Sequence, residues 1–199
     1  MKTTAKKQTL AIAGGPKAMT KDDGDIFHWP IVTKADEKAV VDVLRRGAMS
    51  GSDITKRFER EFADWMGMKY GLAYNNGTES LRAAMWACGL GAGDELICPS
   101  MTYWASCTAA LGLGAAVNFA DVLPKTLCID PKDIEHRIGP RTKAIVVVHY
   151  CGYPCDMGPI MKLARKHKIK VIEDVSHAHG ALYKGKKVGT FGDISAMSM

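Results

Sequence analysis

The sequence predicts an α/β protein with a mostly parallel sheet and helices on both faces. Short apolar runs without polar alternation recur along the chain, and segments of helical length separate them. Such runs are typical of parallel strands buried on both sides, because each right-handed crossover covers one face of the sheet. The composition, with 47% hydrophobic and 24% charged residues, is that of an ordinary globular protein of one large domain.

The first two helices are predicted from caps and spacing. Thr33 can cap a helix that has Asp36 at its third position, and Gly47 is placed to end that helix. A second helix starts near Ser52, because apolar residues follow it at helical spacing. These apolar residues are Phe58, Phe62, Trp65 and Met66.

The remaining elements alternate. The candidate strands are residues 71–74, 95–98, 116–119, 144–148 and 171–172, and the helical segments between them include 80–90, 103–113 and 157–168. The glycine-rich run 89–93 precedes a strand, so we interpret it as a turn that ends a helix and not as a dinucleotide loop. We expect one domain over residues 30–199, preceded by an N-terminal arm over residues 1–29.

Charge and cysteine usage exclude several classes of protein. Five of the 27 Lys and Arg residues lie in the short arm, at Lys2, Lys6, Lys7, Lys17 and Lys21, and indicate a solvated tail more than a nucleic-acid surface. No apolar run approaches the ~20 residues of a membrane span or forms a signal-peptide core, so we expect a cytoplasmic protein. The six cysteines lack zinc-ribbon spacing and are expected to stay reduced without binding metal.

Three motifs place polar groups or aromatic rings after predicted strands. Gly77 and Thr78 stand between a strand and a helix, where free backbone N–H groups favour an anion, although a plain capped helix has the same pattern. Tyr103 follows the next strand and either stacks on a planar ligand or packs as core. Asp174 ends a later strand, where a carboxylate can hold a proton on a heteroaromatic nitrogen.

A phosphate site, a stacking ring and a carboxylate for a ring nitrogen are together the requirements of pyridoxal phosphate (PLP). On these motifs the sequence resembles the DegT/DnrJ/EryC1/StrS family of PLP-dependent aminotransferases, which aminate keto-sugars and keto-cyclitols. The resemblance extends from about Gly14 to Met199. Its most specific parts are residues 76–78, 99–105, 142–145, 149–152, 171–180, 183–185 and 189–193.

The resemblance implies a role for six residues. Gly77 and Thr78 hold the cofactor phosphate, and Ser198 matches a serine that also reaches it. The other three residues contact the ring: Tyr103 stacks on it, Asp174 pairs with the pyridine nitrogen, and His177 lies beside the ring hydroxyl.

The resemblance also implies where the chain stands within such an enzyme. The implied fold is the large domain of the fold-type I PLP-dependent transferases, and we expect the chain to stop before the last strand of that domain and before the small C-terminal domain. The lysine that forms the Schiff base is expected a few residues beyond Met199. Asp174 and His177 are then the catalytic candidates within the chain, and we expect residues 1–199 alone to be inactive.

The expected activity is transfer of an amino group from glutamine or glutamate to a keto-sugar or keto-cyclitol, by an enzyme that is a homodimer at full length. The stretch 102–105 and the last four residues are most similar to cyclitol-pathway members that use glutamine. Two alternatives stay open. Relatives with histidine in place of the lysine are sugar dehydratases, and a truncated gene product would be a non-catalytic pseudo-enzyme.

Overall fold

The computed structural model of the chain describes residues 9–21, 24, 30–47, 50 and 53–199. The chain divides into two compact units, Met1–Gly51 and Ser52–Met199. Part of the expected N-terminal arm, including Lys2, Lys6 and Lys7, lies outside the described residues.

The first unit contains a 3₁₀ turn at Ala11–Ala13 and helix α1 at Lys34–Arg45. The predicted capping box is confirmed. The Thr33 side chain accepts a hydrogen bond from the Asp36 backbone N–H at 3.4 Å, and the Asp36 carboxylate accepts one from the Thr33 N–H at 2.8 Å. These two bonds satisfy donors that the first turn of a helix otherwise leaves unpaired. The turn after α1 contains Gly47 at a φ of 63°, as expected for the end of a helix.

The second unit alternates helices with strands. Its helices are α2 (Asp53–Met66), α3 (Gly77–Ala87), α4 (Ala105–Leu111), α5 (Pro131–Arg137) and α6 (Met157–His167). Its strands are β1 (Glu95–Pro99), β2 (Ala116–Ala120), β3 (Thr142–Val148), β4 (Lys170–Asp174), β5 (Leu182–Tyr183), β6 (Lys186–Lys187) and β7 (Ile194–Ala196). Within the described ranges, no helix is both long and apolar enough to cross a bilayer.

Five strands form one parallel sheet in the order β2-β1-β3-β4-β7. Val148 pairs with Asp174, and Asp174 pairs with Ala196, so β3, β4 and β7 end side by side. Strands β5 and β6 form a separate antiparallel hairpin.

The two faces of the sheet carry different cores. Side chains of β3 alternate between them: Val146 packs with residues of α3 and α4, whereas Ile145 and Val147 pack with residues of α5 and α6. Because successive side chains of a strand point to opposite faces, this division places helices on both sides of the sheet. The predicted α/β class with a mostly parallel sheet is confirmed.

One predicted strand is wrong. Residues 71–74 have no regular secondary structure, although the run Gly71-Leu72-Ala73-Tyr74 looks like a strand. Among the described residues no strand pairs with this segment, and Leu72 is 74% exposed. Its position is fixed instead by helix α2, since the Ala73 N–H donates to the Glu59 carboxylate at 2.9 Å. Apolar composition alone therefore does not make a strand where no neighbouring strand offers hydrogen bonds.

Candidate cofactor site at the carboxyl edge of the sheet

The site is built where the parallel strands end. The segments after β1, β3, β4 and β7 emerge at the same edge of the sheet because all four strands run in the same direction. Helix α3 begins at this edge as well, since an added Cβ at Gly77 would lie 2.7 Å from the Cβ of Ser198, just beyond β7. The sheet thus brings residues that are far apart in sequence to one edge.

Asp174 is the last residue of β4 and is 5% exposed. Both of its carboxylate oxygens accept hydrogen bonds, Oδ2 from the Ser106 hydroxyl at 2.7 Å and Oδ1 from the Ser176 N–H at 3.1 Å. Within the described part of the chain, no Lys, Arg or His forms an ion pair with it. A buried carboxylate is costly without a cation, so this one is suited to a positively charged group supplied from outside.

The N-terminus of α3 supplies anion-binding groups at the same edge. Asn76 caps the helix, since its side chain accepts from the Glu79 N–H at 2.9 Å and its carbonyl accepts from Ser80. The N–H groups of Gly77 and Thr78 have no acceptor among the residues described. Two free donors at the positive end of a helix of eleven residues are suited to a phosphate.

Ser198 lies against this helix terminus. Its backbone N–H donates to the Ser176 hydroxyl at 3.0 Å, and Ser176 in turn donates its own N–H to Asp174. The structure therefore connects Ser198, expected at the phosphate end of the cofactor, to Asp174, expected at the ring nitrogen. Gly77 is required at the contact because any side chain there would collide with Ser198.

Tyr103 lies in the turn between β1 and α4. It is 58% exposed, and its ring is 5.4 Å from the ring of Trp104 at an angle of 49°. Of the two interpretations that the sequence left open, core packing disagrees with this exposure. The ring is accessible to a planar ligand.

His177 is exposed and lies three residues after Asp174. Its ring meets the ring of Tyr150 edge-on, with centroids 5.5 Å apart. Tyr150 belongs to the 3₁₀ turn Tyr150–Gly152 after β3, in which Cys151 has a φ of 49°. This left-handed conformation is uncommon for a residue with a side chain. The turn lies against the segment of His177, whose carbonyl oxygen is 3.7 Å from a Cβ added at Gly152.

A cavity of about 550 Å³ lies beside the phosphate end of the site. Gly77 and Ser198 line it, together with the irregular segment 71–76 and the side of β7. Asp174, Tyr103 and His177 are not part of its lining. The cavity is therefore adjacent to the candidate site and does not enclose it.

Sequence reasoning missed a buried hydrogen-bonded pair behind the site. His149 and Glu173 are fully buried, and the His149 Nε2 lies 3.1 Å from the Glu173 Oε2. The Nδ1 of His149 accepts from the Cys155 N–H at 3.0 Å, so the ring proton is on Nε2 and is donated to Glu173. The sequence did carry a signal for this pair, since residues 173 and 174 are both acidic. Successive side chains of a strand point to opposite faces, so only one of these carboxylates can face the site and the other needs a partner on the opposite face.

Glu173 fixes the loop that leads into β7. Its Oε1 accepts from the N–H groups of Phe191 and Gly192, and its Oε2 accepts from Gly189, each at 2.7 Å. Burial alone would raise the pKa of Glu173, but the hydrogen bonds from His149 and from the backbone lower the pKa below its ordinary value. The ionised carboxylate therefore holds in place the loop before β7, the strand that ends two residues before Ser198.

The described residues contain no group of three or more His, Cys, Asp or Glu side chains arranged to hold a metal ion. All six cysteines are free thiols, and of these Cys151 is exposed.

Comparison with known proteins identifies the family of this chain. The model of the DegT/DnrJ/EryC1/StrS aminotransferase family matches residues 30–199. The L-glutamine:2-deoxy-scyllo-inosose aminotransferase of Streptomyces kanamyceticus is 43% identical over 178 residues, which cover 86% of this chain and 42% of that enzyme. This chain thus spans less than half the length of that relative.

Solved structures agree with the same assignment. The aminotransferase from Psychrobacter cryohalolentis superposes with a TM-score of 0.83 at 42% identity, over 85% of this chain and 44% of that one. The PLP form of Spr1654 from Streptococcus pneumoniae superposes with a TM-score of 0.81 at 29% identity, over 84% of this chain and 47% of that one. The chain belongs to the DegT/DnrJ/EryC1/StrS aminotransferase family.

Proposed function

We propose that this chain binds PLP and forms the cofactor site of an aminotransferase that acts on a keto-cyclitol or keto-sugar. The observation that carries the proposal is Asp174, a buried carboxylate without a cationic partner in the described chain, at the sheet edge where α3 offers two free N–H groups. PLP has a phosphate at one end and a protonatable ring nitrogen at the other. The residues present fit both ends.

The phosphate end of the proposed site is formed by backbone and hydroxyl groups. Gly77 and Thr78 donate their free N–H groups to the phosphate, and the hydroxyls of Thr78 and Ser198 add further donors. The absence of a side chain at Gly77 permits the close contact with Ser198. This end binds and orients the cofactor and takes no part in proton transfer.

The ring end holds the groups that act on the cofactor. Tyr103 packs on one face of the ring, Asp174 keeps a proton on the pyridine nitrogen, and His177 lies beside the ring hydroxyl. When bound, PLP supplies the electron sink that amino transfer requires. Asp174 maintains that sink because a protonated ring nitrogen attracts electrons more strongly than a neutral one. The lysine that the family uses for the covalent link is expected outside residues 1–199.

We propose glutamine as the amino donor and a keto-cyclitol as the acceptor, since the curated relative from Streptomyces kanamyceticus is named for these two substrates. A homodimer is proposed for the full-length protein. In support, Met101, Tyr103, Trp104 and Leu111, on α4 or the turn before it, are all at least 40% exposed. The cytoplasmic location stays a prediction from the sequence.

The proposal is tested by titrating the protein with pyridoxamine phosphate, which binds without a covalent link to lysine. Binding is followed by fluorescence or absorbance. We expect saturable binding that inorganic phosphate displaces, and at least a tenfold loss of affinity in Asp174→Asn, which keeps the shape of the side chain and removes its charge. Asp64→Asn, an exposed position on α2, serves as the control and should bind like the wild type. No binding by the wild type, or equal binding by Asp174→Asn, would refute the proposal.

The reaction is tested in the full-length protein with glutamine and a keto-cyclitol. An aminated product supports the proposed activity. A dehydrated sugar would favour the dehydratase alternative, and cofactor binding without turnover would indicate the non-catalytic one.

A further inference from the structure

Two hydroxyl groups form a chain that ends on Asp174. The Thr102 Oγ1 lies 2.8 Å from the Ser106 Oγ, and the Ser106 Oγ lies 2.7 Å from the Asp174 Oδ2. Ser106 is fully buried on α4, and Thr102 is half-buried in the turn before that helix. Neither residue is among those that the sequence placed in the site.

The direction of these hydrogen bonds follows from the number of protons. An ionised carboxylate only accepts, so Ser106 donates its single hydroxyl proton to Asp174. Ser106 then has no proton left for Thr102, and Thr102 must be the donor in the first bond. The chain therefore runs in one direction, from Thr102 through Ser106 to the carboxylate.

This chain fixes how the carboxylate is turned. The Ser106 hydroxyl holds Oδ2, and the Ser176 N–H holds Oδ1, so both oxygens have a donor and the plane of the group is set. The donor to Oδ1 is a backbone N–H group, which a side-chain substitution leaves in place. Of these two donors, a substitution can therefore remove only the Ser106 hydroxyl. The segment 102–106 also contains Tyr103, so one short segment contributes both the exposed ring and the group that orients the carboxylate.

We propose that Ser106, itself oriented by Thr102, is a positioning residue that turns the Asp174 carboxylate toward the ring nitrogen of the cofactor. The inference rests on the proposed function. Ser106 touches neither cofactor nor substrate and acts only through Asp174. Without its hydroxyl, the carboxylate can rotate about its side-chain bond, and its hydrogen bond to the ring nitrogen weakens.

The test compares four variants with a control on the same helix. Ser106→Ala and Thr102→Val remove the hydroxyls, whereas Ser106→Thr and Thr102→Ser retain them. Thr108→Val is the control, because it removes a hydroxyl from α4 that makes no hydrogen bond to any residue the structure describes. Two quantities are measured for each variant: the dissociation constant of pyridoxamine phosphate, and the pH midpoint at which the absorbance of the bound ring reports loss of its nitrogen proton.

We expect Ser106→Ala to weaken binding about tenfold and to move the midpoint to lower pH, since a misaligned carboxylate holds the ring proton less well. Thr102→Val should cause a smaller shift in the same direction, about threefold in binding. The hydroxyl-retaining variants and Thr108→Val should resemble the wild type. Circular dichroism shows which variants are folded. If Ser106→Ala is unfolded, the binding and midpoint of Thr102→Val test the proposal instead.

Two results would count against the idea in distinguishable ways. If the wild type binds and the hydroxyl-free variants show the same affinity and midpoint while only their melting temperature falls, Ser106 has a structural role and the inference is wrong. If the wild type itself does not bind pyridoxamine phosphate, the proposed function fails and this inference fails with it.

Discussion

Replacing Glu173 by glutamine should strongly destabilise the fold, although the two side chains have nearly the same shape. The glutamate accepts four hydrogen bonds, three from backbone N–H groups and one from His149. Glutamine has an NH2 group, which only donates, in place of one of the two carboxylate oxygens. This NH2 group must face either the N–H groups of Gly189 and His149 or the N–H groups of Phe191 and Gly192.

Either orientation leaves two donors without an acceptor: the buried N–H groups of Gly189 and His149, or the part-buried N–H groups of Phe191 and Gly192. A change of His149 tautomer does not help, because its Nδ1 would then present a proton to the Cys155 N–H. Each orphaned donor costs about 1–3 kcal/mol, so Glu173→Gln should lower the free energy of unfolding by about 2–6 kcal/mol. That is a large share of the ~5–15 kcal/mol of a typical domain.

The assay is urea denaturation followed by circular dichroism, with the free energy obtained by linear extrapolation. Glu135→Gln is the matched control. Glu135 forms an exposed ion pair with Lys166 at 3.4 Å, and such pairs contribute about 0–1 kcal/mol. A loss in Glu173→Gln below about 1 kcal/mol, or equal to that of the control, would refute the reasoning that this carboxylate anchors the loop.

Three further predictions concern acid stability and the cofactor site. Because the pKa of Glu173 is lowered from 4.5 in the folded state, its contribution to stability is complete above that value, and the difference between wild type and Glu173→Gln should shrink as the pH falls through the folded pKa in acid unfolding curves. Gly77→Ala should weaken pyridoxamine phosphate binding because its Cβ collides with Ser198, whereas Gly91→Ala, with open space around it, should bind like the wild type; equal binding by both would contradict the geometry. Tyr103→Ala should weaken that binding about 2–10-fold and Tyr103→Phe should change it little, as stacking is worth ~0.5–1.5 kcal/mol; unchanged affinity of the alanine variant in the same titration would show that the ring does not stack.

The parallel sheet could be predicted from the sequence because its signals are local. The run 144–148 is continuously apolar and became the central strand β3, and the cap at Thr33 needs only residues three apart. Helix α5 had an equally local signal that was overlooked, since Asp130 caps it and Pro131 occupies its first position.

The rest could not be predicted because it depends on distant pairings. Residues 71–74 have the composition of a strand, and only the absence of a pairing strand in the described structure shows that they are not one. The bond from Ser106 to Asp174 joins residues 68 positions apart. Neither the spacing of the sequence nor the composition of helix α4 indicates which carboxylate Ser106 will contact.

Strand β4 ends with two acidic residues in succession, and their side chains point to opposite faces of the sheet. Glu173 turns to the side of α5 and α6 and receives loop donors, whereas Asp174 turns to the side of α4 and receives a hydroxyl. A shift of this strand by one residue would exchange them, placing a longer carboxylate before Ser106 and a shorter one before the loop. Neither set of donors would then be satisfied. The hydrogen bonds of both carboxylates are therefore satisfied only in the observed register of β4. That register is also the one that places Asp174 at the candidate site.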